Sequence, residues 1–115
     1  MDNKRRLIRL DVEDFLEIKP LNEVGRVYRE KTRNFTIMGI CFSSQAEWSR
    51  GQTLSIDYFI SEEAESVRLK VVVVWSEFIG TDKGYFCGCE IIDIEEAKKD
   101  KFTNYYLKKL REKFS

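Results

Sequence analysis

Val67-Arg68-Leu69-Lys70-Val71-Val72-Val73-Val74-Trp75 places an apolar side chain at every odd position, the period of a strand with one face in a core. Arg68 and Lys70 open the opposite face before Val72 and Val74 cover it too, which predicts a central strand. On this pattern Val67, Leu69, Val71, Val73 and Trp75 all point inward. Upstream, Leu54, Ile56, Tyr58 and Ile60 alternate with Ser55 and Asp57 behind a turn at Arg50-Gly51-Gln52. A polar acidic link over residues 61–66 separates these two strands. Downstream, Gly80-Thr81-Asp82-Lys83-Gly84 reads as a hairpin loop leading into a strand over residues 85–92. Shorter β candidates precede them at residues 15–19, 24–29, 31–36 and 39–42, interrupted by charges and by Pro20. About six locally joined strands are expected.

The period changes at the end of the chain. Asp93 followed by Glu96 has the spacing of a capping box, and Phe102, Tyr106, Leu110 and Phe114 recur every fourth residue as one apolar stripe. Residues 94–115 therefore read as a C-terminal amphipathic helix. Its other face carries Lys98, Lys99, Lys101, Lys108, Lys109, Arg111 and Lys113, diluted by Glu95, Glu96, Asp100 and Glu112, and reads as a solvated face rather than a membrane or nucleic-acid surface. Local antiparallel strands closed by one helix point to a small barrel or sandwich, in which closure removes exposed edges.

A chain of 115 residues has room for one core. Its longest uninterrupted apolar run, residues 71–75, is far short of the roughly 20 residues of a membrane helix. Twenty basic residues balance twenty acidic ones, which argues against a general polyanion binder, and no DNA partner is expected. The positive charge is local: residues 1–10 carry a net +3, and residues 11–23 a net −4. Because acids follow the basic start at once, no secretory signal is read there, and a cytoplasmic location is expected. The chain has no histidine, which removes imidazole acid–base chemistry and histidine metal sites. Cys87 and Cys89 share a strand face with Tyr85 and Ile91 and read as small buried hydrophobes, a thiolate metal site with Cys41 being the alternative. With no nucleophile–base pair, metal set or glycine-rich phosphate loop, no enzyme and no cofactor are expected.

Two polar clusters remain once the core pattern is subtracted. Arg5 and Arg9 are four residues apart, share one side of an extended arm with Leu7, and stand about 13 Å apart there, close enough to grip one ligand. Their guanidinium groups suit phosphates through forked hydrogen bonds and stack on purine faces. Asn34 and Thr36 project to one side of a strand whose Phe35 enters the core, and Gly39 is free to take a positive φ or to let a ligand approach the backbone. Such a cluster is able to read a base edge. An ordinary turn and a frayed basic tail would carry the same residues.

Lys4-Arg5-Arg6-Leu7-Ile8-Arg9 followed by Asn34-Phe35-Thr36-Ile37-Met38-Gly39 resembles the PilZ domain family, whose motifs are Arg-x-x-x-Arg and Asp/Asn-x-Ser-x-x-Gly. The strand Gly39-Ile40-Cys41-Phe42, the turn and strand over residues 51–60, Val73-Val74-Trp75, Gly88-Cys89-Glu90-Ile91 and the final helix follow the family's layout over nearly the whole chain. The resemblance implies a mainly β fold, a six-stranded antiparallel split β-barrel with a C-terminal α-helix. Residues 1–12 would form a flexible basic arm, residues 13–93 the barrel and residues 94–115 the helix of the same domain. It also implies a bacterial receptor for cyclic di-GMP. Arg5 and Arg9 would contact phosphate and guanine, Asn34 and Thr36 would hydrogen-bond guanine or phosphate, Gly39 would shape the turn, and Lys4 and Arg6 would add attraction. Thr36 departs from the family's serine, keeping the hydroxyl while its methyl stiffens χ1. Residues 20–31 are longer and more charged than the family's minimal layout, which leaves open an extra hairpin. The receptor would relay its signal to a protein partner as a monomer or ligand-linked homodimer; the alternative is a PilZ-like adaptor for pili or motility that binds no nucleotide.

Overall fold

The computed structural model describes residues 7–60 and 65–115. Within them run β1 (Phe15–Pro20), β2 (Tyr28–Phe35), β3 (Gly39–Ser44), β4 (Thr53–Phe59), β5 (Ser66–Gly80) and β6 (Gly84–Ile94), then a 3-10 turn at Glu96–Lys98 and α1 (Lys99–Phe114). The protein is mainly strands. Every pairing is antiparallel, in the lateral order β1-β2-β3-β6-β5-β4, and β4 pairs back onto β1 to close the barrel. Closure gives every strand a neighbour on both sides, although β5 beyond Val73 pairs with β6 alone.

The period-two pattern fills the interior. Leu54, Ile56 and Tyr58 of β4 face Val67, Leu69, Val71 and Val73 of β5, and all are essentially inaccessible. Leu16, Ile18, Phe35, Ile40, Phe42 and Cys87 complete the core from the other strands. The helix α1 inserts Phe102 against Phe35 and Tyr58, at ring separations of 5.9 and 5.4 Å, and adds Tyr105 and Tyr106 around Phe35.

Four sequence expectations change. The candidates at residues 24–29 and 31–36 are one strand, β2, preceded by a connection over residues 21–27 that turns through hydrogen bonds from Glu23 N–H to Pro20 O and Arg26 N–H to Glu23 O. That connection is no extra hairpin. The capping box does not form, because β6 runs on through Asp93, which pairs with Lys70. Glu95 instead joins β5, donating its N–H to Arg68 O at 2.8 Å and accepting the Arg68 N–H on its carboxylate at 3.1 Å. The apolar stripe of α1 holds through Phe102, Tyr106 and Leu110 but leaves Phe114 exposed. Trp75 leaves the inward series and stands exposed on the outer face.

Candidate functional site

Two β-bulges re-aim consecutive side chains onto the outer face. On β2, Thr32 pairs with Phe42 and Asn34 with Cys41, so Arg33 is an extra residue. Thr32 and Phe35 can then both be buried while Arg33 and Asn34 both face outward. On β5, Val73 pairs with Cys89 and Trp75 with Gly88, so Val74 is extra, and Val74 and Trp75 both stand exposed at about 40%. The register then aligns one row across four strands, Asn34–Cys41–Gly88–Trp75. Its two middle residues are small, and its ends are the two bulges.

The result is a concavity of about 620 Å³ between those ends, whose lining includes Arg9, Asn34, Thr36, Gly39, Trp75 and Gly88. That volume is typical of small-molecule sites. A Cβ on Gly88 would lie 2.2 Å from Trp75 Nε1, so the indole packs against the bare backbone of β6 at Gly88. Gly39 also has a steric reason, since a Cβ there would meet the Cys89 carbonyl at 2.9 Å. Its φ is not positive, so of the two alternatives expected of it the positive φ does not apply.

Local hydrogen bonds build the wall at the β2–β3 turn. Thr36 N–H donates to Gly39 O at 2.8 Å, and Thr36 Oγ1 accepts the N–H groups of Met38 and Gly39 at 3.0 and 3.1 Å. The threonine hydroxyl thus organises the turn while keeping its own proton to donate. Opposite it, Leu10 exchanges backbone hydrogen bonds with Phe35, which brings Arg9 alongside the turn. Leu7 and Arg9 both line the concavity, as their shared parity predicts.

The described lining carries one guanidinium, Arg9, and one carboxylate, Glu90, beside the neutral Asn34, Thr36 and Trp75. Burial pushes the Cys41 thiol up, and Arg33 and then Arg9 act against that shift, so both guanidiniums project their field into the site. Arg33 is steadied 4.2 Å over the Phe86 ring. The Cys89 thiol is pushed up by its contact with Cys87, 3.8 Å away, and by burial. Cys41 and Cys89 therefore hold their protons near neutrality, and among the described residues no three ligating groups gather to hold a metal.

Of the expected site residues, Arg9, Asn34, Thr36 and Gly39 come together around this concavity, whereas Lys4, Arg5 and Arg6 lie outside the described residues. Trp75, Gly88 and Arg33 were not singled out for the site. Their signal was faint: a period-two count cannot see a bulge, which depends on the partner strand.

The PilZ domain family matches residues 3–108. This chain is a PilZ domain. The PilZ fold is shared with the solved Bacillus subtilis inhibitor of motility MotI/DgrA, at a TM-score of 0.77 and 17% identity, covering 95% of this chain and 52% of that one. It is also shared with K. pneumonia MrkH in its apo state, at 0.70 and 12%, covering 97% and 53%. This PilZ domain thus spans about half the length of both. No curated protein sequence matches it significantly. No helix among the described residues is long and apolar enough to cross a membrane.

Proposed function

We propose that this PilZ domain is a bacterial, cytoplasmic receptor for cyclic di-GMP, without catalytic activity, that relays the second messenger to a protein partner. The observation that carries the reading is the single concavity joining Arg9 of the first motif to Asn34, Thr36 and Gly39 of the second. A guanine base stacks on the Trp75 indole above Gly88, and Asn34 and the Thr36 hydroxyl bond its polar edge or a phosphate. Arg9 supplies a forked contact to phosphate, and Arg5 does the same from the same side of the arm, with Lys4 and Arg6 adding attraction. Closure of the arm over the ligand carries the signal; of residues 1–12 it is the part ahead of Ile8 that closes, because Ile8, Leu10 and Val12 are already fastened to α1 and β2, and the C-terminal segment holding α1 belongs to the same unit as the barrel. The protein acts as a monomer or as a ligand-linked homodimer.

Isothermal titration with cyclic di-GMP, with GTP as control, tests the reading. Saturable binding selective for cyclic di-GMP is expected. Arg9→Ala should cost at least about tenfold in affinity, the effect of losing a charge-assisted contact of roughly 1.5–3 kcal/mol. Absence of binding at high concentration would sink the receptor and leave a PilZ-like adaptor for protein partners.

A further inference from the structure

The segment leading from Ile8 into β1 is fastened at every second residue. Tyr106 of α1 donates its hydroxyl proton to the Ile8 carbonyl at 2.7 Å. Leu10 exchanges backbone hydrogen bonds with Phe35 at 3.0 and 3.1 Å, and the Thr32 hydroxyl donates to Val12 O. The Asp14 carboxylate, 1% exposed, accepts the hydroxyls of Tyr58 at 2.7 Å and of Tyr105 at 2.9 Å. Asp14 also donates its N–H to Thr32 Oγ1 at 2.8 Å, while its carbonyl accepts the Thr32 N–H at 2.9 Å. The odd residues Arg9, Asp11 and Glu13 stay exposed between these fastenings. Both ends of the strap, Ile8 and Asp14, are held by adjacent tyrosines of α1, far downstream in sequence.

The Ile8 carbonyl belongs to the peptide plane that carries the Arg9 N–H. That hydrogen bond holds one peptide plane flanking Arg9 Cα and the bonded Leu10 N–H holds the other, and the two planes together set the direction in which the Arg9 side chain leaves the backbone. We propose that Tyr106 is a positioning residue for Arg9, so that occupancy of the pocket and packing of α1 are coupled through the strap. The coupling, though not the strap, rests on the receptor reading. Linkage makes it reciprocal: a ligand that holds Arg9 in place also stabilises the Tyr106 contact and so α1.

Tyr106→Phe in the full chain keeps the buried ring and removes only the hydroxyl. In the ligand-free protein, hydrogen exchange of the amides of residues 8–12, among them the bonded Leu10 N–H, should accelerate by about three- to tenfold, the effect of one lost hydrogen bond. Amides of β3 and β6 should exchange as before. Cyclic di-GMP affinity should fall by a similar factor, and in an Arg9→Ala background the same substitution should cost nothing further. A hydroxyl that served stability alone would speed exchange across the barrel and leave the affinity unmoved, which overturns the proposal. Unchanged exchange at residues 8–12 overturns it as well, whether or not nucleotide binds. Failure of the unaltered chain to bind cyclic di-GMP overturns the receptor reading instead, and the exchange data then decide the strap alone.

Discussion

A methyl group at position 88 would sit 2.2 Å from Trp75 Nε1 and 2.3 Å from Cε2, so Gly88→Ala forces the indole off β6. The ring has space to turn outward because Trp75 is already 40% exposed, and the barrel is expected to persist. Tryptophan emission should shift to the red, against a constant contribution from Trp48, which is buried beside Tyr28 and bonded to Ser44. Cyclic di-GMP affinity should fall at least about fivefold, since base–aromatic stacking contributes roughly 1–3 kcal/mol per base. An unshifted spectrum, or unchanged titration, would count against the stacking platform. At this scale Asn34, Thr36 and Gly39 were legible because their geometry is local: a strand, its turn and the three hydrogen bonds that close it. Trp75 was not, because nothing in its neighbours along the chain shows that Gly88 lies beneath it.

The helix α1 is held by three buried aromatic rings, Phe102, Tyr105 and Tyr106, of which Phe102 lies deepest. Phe102 is fully buried against Phe35 and Tyr58, and Phe102→Ala should destabilise the domain by about 3–5 kcal/mol, read as a lower midpoint in urea unfolding. A loss below about 1 kcal/mol would mean that α1 is not part of the core. The fourfold spacing of Phe102, Tyr106 and Leu110 announced this helix without its start, because the local propensity for a capping box lost to the pairing of Asp93 with Lys70. Between the strands, the same competition produced the two bulges. Burying both Thr32 and Phe35 requires one extra residue on β2, and that residue brings Arg33 to the outer face beside Asn34.

For the whole molecule, a net charge of zero covers basic regions such as residues 1–10 at +3 and residues 99–114 at +4, so attraction for a nucleotide is local and open to screening. Raising NaCl from about 0.05 to about 0.5 M contracts the Debye length from about 14 to about 4 Å, and cyclic di-GMP affinity should weaken roughly three- to tenfold. Titrations at the two salt concentrations check this; an affinity independent of salt would mean that the basic arm adds no charge attraction. The amino-acid sequence by itself determined the strand-rich architecture, the terminal helix and the two polar clusters, because side-chain period and short motifs are properties of neighbours along the chain. Only the tertiary structure decided where the pocket's walls stand, that Trp75 faces out over Gly88, and that Tyr105 and Tyr106 fasten the segment bearing Arg9. Those outcomes depend on strand register and on contacts between distant residues, which barrel closure sets and no local pattern encodes.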